Sequence, residues 1–126
     1  MNSSLALARR HLNWGRAMNP GDVIRIKFPG VFQTKMRPPV VLSSSTYHAD
    51  HPDIILGLIT SQTSKATSRT DYLMQSWQAA GLRVPPAFRS FIVTLPASAV
   101  VSRKGAMAKP DWDQVVACVK LSMELR

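Results

Sequence analysis

Arg37-Pro38-Pro39-Val40-Val41-Leu42 and Asp53-Ile54-Ile55-Leu56-Gly57-Leu58-Ile59-Thr60-Ser61-Gln62 are the two stretches whose reading decides the fold. Each is a short apolar run bounded by turn-forming or polar residues, the signature of a strand rather than of a helix. Paired prolines are tolerated at a strand's start, where no ladder donor is yet needed. The unbroken apolar run from Ile54 to Ile59 implies burial on both faces. Between the two stretches, Ser43 to Pro52 is polar and holds Tyr47, His48 and His51, so it reads as a loop.

Working outward, Asn19-Pro20-Gly21-Asp22 is a turn signal. It leads into Val23 to Phe28, where Ile24, Ile26 and Phe28 alternate with Arg25 and Lys27, a half-buried strand. Pro29-Gly30 ends that strand, and Val31 to Met36 reads as a loop. Downstream, Thr63 to Thr70 reads as a connection and Asp71 to Trp77 as a fourth strand. Gln78 to Pro86 reads as turn and loop, interrupted by Gly81, Pro85 and Pro86. In Arg89 to Leu95, Phe91, Val93 and Leu95 alternate with Ser90, Ile92 and Thr94, a further strand, and Ala97 to Arg103 is a last one before a turn at Lys104-Gly105. Trp112, Val115, Val116, Val119 and Met123 then recur at three- and four-residue spacing, which predicts a C-terminal helix. Pro110 suits its first turn, and Asp111 and Asp113 suit its positive end.

Several strands followed by one helix, with none between strands, exclude a parallel α/β sheet. The fold expected is mainly β: a strongly bent antiparallel sheet or partly open barrel with a C-terminal α-helix. Residues 1–18 read as an extension, helical over Met1 to Asn13, and residues 19–126 as the single domain. Ser3 or Ser4 would cap that first helix.

Sixteen Lys+Arg against seven Asp+Glu in 126 residues give a net charge of +9, which favours a polyanionic partner. The basic residues are spread singly, as suits a folded groove better than a basic tail. A single cysteine, Cys118, excludes an intrachain disulfide and zinc sites built on several cysteines. No apolar run approaches the roughly 20 residues of a membrane-spanning helix. Phosphate-loop, dinucleotide-binding, zincin and nucleophile-elbow motifs are absent from the sequence. His48 and His51 are the residue types of a two-histidine nuclease, but a pair of solvated loop imidazoles is the commoner reading. Cys118, Trp77 and Trp112 read as core residues. What remains is a set of basic and hydroxyl side chains at strand ends: Arg37 after a Lys35-bearing loop, and Thr60, Ser61 and Gln62 at the close of the long apolar run. If the two deciding strands are neighbours, these groups converge on one rim. Arginine's planar donor fork meets two phosphate oxygens at once, and short hydroxyls can hold a phosphate in register.

At these residues the sequence resembles the PemK/MazF family of type II toxin–antitoxin ribonucleases. Three segments match in order: Gly21-Asp22-Val23-Ile24, Lys35 to Ser43, and Asp53 to Gln62. A softer match covers Trp77 to Leu82 and Gly105 to Trp112. The resemblance implies an SH3-like barrel of short antiparallel strands with a C-terminal helix, a homodimer, and a cytoplasmic location. It implies cleavage of single-stranded RNA without a metal or other cofactor, and control by an acidic antitoxin. Carried over by position, Arg37 and Thr60 fall on the family's catalytic arginine and threonine. Lys35, Ser61, Gln62, Lys65 and His48 are the expected RNA-binding residues, with His48 a candidate proton acceptor. Two rival readings stand beside this one: a non-catalytic nucleic-acid-binding barrel, and a protein-interaction domain for an acidic partner.

Overall fold

Apolar alternation in this chain builds a sheet whose two faces are both buried. The structure is a computed structural model, and it describes residues 18–27 and 38–125. The strands are β1 (Asp22–Ile26), β2 (Val40–Val41), β3 (Asp53–Thr60), β4 (Tyr72–Leu73), β5 (Ala87–Pro96) and β6 (Val100–Ala106). The described residues also form two α-helices, α1 (Ser45–Asp50) between β2 and β3 and α2 (Lys109–Met123) after β6. The strands form one six-stranded sheet in the order β4-β5-β3-β2-β1-β6. Every pairing in it is antiparallel.

Period-two alternation sends neighbouring residues to opposite cores. Val23, Val40, Ile59 and Phe88 join one cluster with Met74, Ala80, Met107, Val115 and Cys118, beneath α2. Ile24, Ile26, Val41, Ile54 and Leu56 join the other, closed by Met18, Ala97 and Val100. Cys118 is buried as expected, and Trp77 and Trp112 pack half-buried against the first cluster. Met18, the last residue of the expected extension, is itself part of the second cluster. The expected helix over Met1 to Asn13, the loop over Val31 to Met36 and the strand's end at Phe28 lie outside the described residues.

The sheet's two ends come together although the strand order leaves β4 and β6 at its edges. The 3₁₀ turn Trp77–Ala80 packs on β6, and Gly81 follows it at φ +80°, a left-handed conformation that favours glycine. A Cβ on Gly81 would lie 2.5 Å from the Lys104 carbonyl oxygen, and one on Gly105 would lie 2.7 Å from the Ala80 carbonyl carbon. Bare backbone meets bare backbone here, and the sheet curls into a partly open barrel.

Three local expectations are corrected. Ser43 to Pro52 is not a loop throughout: α1 fills its centre, capped by Ser44, whose Oγ accepts the Tyr47 N–H at 3.2 Å. Lys104-Gly105 is not a turn but continues β6, paired through Gly105 with Val23. Phe91 does not face inward with Val93 and Leu95. Ser90 adopts φ 58°, the β3–β5 register shifts between Gly57 and Ile59, and this bulge leaves Phe91 53% exposed. Arg89 lies over the Phe91 ring, 5.0 Å from its centroid.

The helix α2 forms where its pattern predicts, with Pro110 in the first turn. Its last turn leaves the sheet, so Met123 is exposed rather than core. No helix among the described residues is long and apolar enough to cross a membrane.

Candidate functional site

The two deciding strands are neighbours. Val40 pairs with Gly57 and Val41 with Leu56, so the start of β2 and the end of β3 lie at the same end of the sheet. The β2 ladder is only two residues long because Pro38 and Pro39 offer no N–H, although the Pro39 carbonyl still accepts from the Ile24 N–H at 3.1 Å. At this end a cleft of about 240 Å³ opens, lined by Pro38 just before β2 and by Ile59, Thr60 and Ser61 at the close of β3. Its remaining walls are Leu82, Arg83, Val84, Pro86 and Lys104. It therefore holds hydroxyls and cations over an apolar floor, and among the described residues no carboxylate lines it.

Thr60 is half-buried at the strand's end, and its Oγ1 accepts the Gln62 N–H at 3.0 Å. That bond orients the hydroxyl and turns the chain out of the sheet, leaving Ser61 and Gln62 exposed. Lys65 ends an exposed 3₁₀ turn, Thr63–Lys65. Of the residues expected at the site, the cleft gathers Thr60 and Ser61, with Gln62 one residue beyond. Arg37 and Lys35 lie outside the described residues. Pro38, directly after Arg37 in sequence, is in the cleft wall.

His48 is elsewhere. It is fully buried on the inner side of α1, and its Nε2 shares a 2.5 Å hydrogen bond with Ser43 Oγ. Ser43 Oγ also accepts the Ile55 N–H at 3.0 Å. The pair ties α1 to β3, so His48 is a core residue rather than a solvated groove imidazole. A six-residue helix whose one buried residue is a histidine shows no apolar period in the sequence, and this concealed it.

Two cleft residues, Arg83 and Lys104, escaped sequence reasoning. Each sits in a stretch read as turn, and they are 21 positions apart. Gly81 and Gly105 beside them were the available signal, but only the folded contact links the two glycines.

Behind the cleft, two buried carboxylates brace the frame. Asp22 is 3% exposed, accepts the Asn19 N–H at 2.8 Å and pairs with Arg103 at 3.2 Å. Asp111, fully buried in the first turn of α2, accepts from Tyr72 Oη at 2.5 Å, from the Gln75 N–H at 3.0 Å and from the Ser76 N–H at 2.9 Å. Burial, and then the bond to Asp111, push the Tyr72 phenol from 10.0 up to about 12. Among the described residues no cluster of three or more His, Cys, Asp or Glu side chains gathers as a metal site would require.

The family description "PemK-like, MazF-like toxin of type II toxin-antitoxin system" matches residues 19–123, nearly the whole chain. The chain belongs to this family. The toxin is also similar in fold to solved structures of distant sequence. One is titled an endoribonuclease from mycobacterial species, at 15% identity and TM-score 0.68, covering 86% of this chain and 93% of that one. A second is an endoribonuclease in complex with its cognate antitoxin, also from mycobacterial species, at 15% identity and TM-score 0.68, covering 86% and 96%. A third is a MazE–MazF structure from Deinococcus radiodurans, at 13% identity and TM-score 0.66, covering 86% and 96%. A comparison with curated protein sequences finds no match.

Proposed function

We propose that this toxin is a sequence-specific endoribonuclease that cleaves single-stranded RNA without a metal, using Arg37 and Thr60. The observation that carries the reading is the shared cleft: Thr60 and Ser61 line it together with Pro38, the residue that follows Arg37. In the sequence Arg37 directly precedes Pro38, a residue of the cleft wall.

The nucleophile is the substrate's own ribose 2′-OH. Its oxygen attacks the adjacent phosphorus and the bond from phosphorus to O5′ breaks, giving a 2′,3′-cyclic phosphate and a 5′-OH. One proton leaves the 2′-oxygen and one reaches O5′. Negative charge grows on the non-bridging oxygens, where the Arg37 guanidinium stabilises it, and the Thr60 hydroxyl hydrogen-bonds the same oxygens or aligns the 2′-OH. Ser61, Gln62, Lys65 and Lys35 hold neighbouring nucleotides, and binding weakens as salt rises. His48 takes no part in this scheme, since its buried imidazole serves Ser43.

An acidic antitoxin segment would compete for the same basic cleft. The relatives solved with a cognate antitoxin, from mycobacterial species and from Deinococcus radiodurans, support that partner. A homodimer is proposed on the family resemblance, and the exposed Leu121, Met123 and Leu125 near the end of α2 offer apolar surface for it.

The test is cleavage of an RNA panel with mapped ends. Wild-type toxin should cut in EDTA, leave 2′,3′-cyclic phosphate ends, and spare a strand carrying 2′-deoxyribose at the cut step. Thr60→Val should fold and lose activity by about a hundred- to a thousand-fold, as removal of one transition-state donor does. Cleavage at a 2′-deoxy step would rule out the 2′-OH as nucleophile.

A further inference from the structure

The wall of the cleft formed by Leu82 to Pro86 and Lys104 carries two cations that the scheme above does not use. Arg83 is exposed and Lys104 half-exposed, and among the described residues neither forms an ion pair with a carboxylate. The neighbouring Arg103, by contrast, is neutralised by Asp22. The contact between Gly81 and Gly105 places Arg83 and Lys104 in the lining of one cleft. With no side chain between the backbones, Gly81 seats against the Lys104 carbonyl, and Arg83 follows two residues later. The segment after Arg83 is stiffened by Pro85 and Pro86, and the Pro86 carbonyl accepts the Met74 N–H at 3.1 Å. Arg83 is thus held between a glycine pinned to β6 and a proline pinned to the end of β4. Two cations on one cleft wall, neither paired with a carboxylate among the described residues, favour an anion in the cleft.

We propose that Arg83 and Lys104 form a phosphate clamp that grips an RNA backbone phosphate flanking the cleaved one. The inference rests on the ribonucleolytic reading of the cleft and adds two binding residues to it. Arg83 meets a non-bridging oxygen pair with its guanidinium fork, and Lys104 adds a point charge. Because the clamp holds a phosphate that does not react, it contributes to binding in the ground state and the transition state alike.

The experiment has two separate readouts. Binding is measured against salt with a uniformly 2′-O-methylated oligoribonucleotide, which has no 2′-OH to attack. Cleavage is measured on the unmodified strand. In the double variant Arg83→Gln, Lys104→Gln, which keeps most of each aliphatic stem, the slope of log K against log salt should become shallower by about 0.7, the value for one single-strand phosphate contact. KM should rise with kcat little changed. Arg83→Lys should recover most of the slope, and Lys120→Gln, on the exposed side of α2, should leave it as in wild type. An unchanged slope in the double variant overturns the clamp even where the wild type cleaves normally. Loss of affinity for an acidic peptide with RNA binding unchanged overturns it too, and assigns the two cations to the antitoxin. A shallower slope in a toxin that cuts no RNA sustains the clamp and refutes the nuclease reading alone.

Discussion

Replacing Asp111 tests whether the start of α2 is held by a single carboxylate. The side chain is fully buried and accepts three hydrogen bonds, from the Tyr72 phenol and from the Gln75 and Ser76 amides. Hydrogen bonds to a charged group contribute about 1.5–3 kcal/mol each, and buried donors left without an acceptor cost a further desolvation penalty. Asp111→Ala orphans all three donors, although water reaches some of the loop, so about 3–5 kcal/mol is expected. Asp111→Asn keeps one acceptor oxygen but turns an amide N–H toward donors, for about 2–3 kcal/mol. Against a total of about 5–15 kcal/mol for a domain of this kind, that loss is a large fraction, and at the low end of the range it unfolds the alanine variant. Urea denaturation gives the loss directly. The chain has two tyrosines, so subtracting the alkaline ultraviolet titration of Tyr72→Phe isolates Tyr72. Its pKa of about 12 should fall in Asp111→Asn but stay above the ordinary value of 10.0, because burial is the larger cause and remains. The sign of the linkage follows. The unfolded phenol ionises first, so the Tyr72 contribution to stability is complete below pH 10 and is lost as pH rises toward 12. Asp111→Ala costing less than about 1 kcal/mol, with the Tyr72 titration unmoved, would refute the three-donor account.

Gly81→Ala should destabilise the toxin by at least about 1–2 kcal/mol from its positive φ alone, and the clash with the Lys104 carbonyl should separate the sheet's ends and reduce cleavage. Gly105→Ala, without a positive φ, should be destabilising through the Ala80 contact only; thermal melts of the two compare these causes. Ser43→Val should destabilise the fold by removing the partner of His48 and of the Ile55 N–H, yet leave kcat per folded molecule near wild type. The Cys118 thiol is pushed up by burial, so alkylation at neutral pH should be slow in the native toxin and accelerate in urea.

Most of the architecture was legible because it rests on short apolar runs, alternating or unbroken, between turn-forming residues. Ile24 and Ile26 lie in a strand that alternation marks, Val40-Val41 and Ile54 to Ile59 in strands that unbroken apolar runs mark, and Val115 and Cys118 mark the buried side of α2. The helix α1 was hidden because its one fully buried residue is His48, whose burial depends on a bond to Ser43 rather than on hydrophobicity. Phe91 departs from its alternation because Ser90 takes a left-handed conformation that nothing in Arg89-Ser90-Phe91 announces. At the site, Thr60 and Ser61 were visible as the polar end of an apolar strand. Arg83 and Lys104 were not, since their place in one cleft depends on the sheet curling until Gly81 reaches Gly105.

The central claim is that Arg37 and Thr60 act together on one phosphate, and a double-mutant cycle on RNA cleavage tests it most directly. Single-turnover rates would be measured for wild type, Arg37→Ala, Thr60→Val and the double variant, each shown folded by its thermal transition. Two groups serving one transition state should be strongly non-additive, the double variant being little slower than the worse single variant. Losses that multiply, as for independent sites, would contradict the shared cleft, and full activity in Arg37→Ala would remove the arginine from the mechanism altogether.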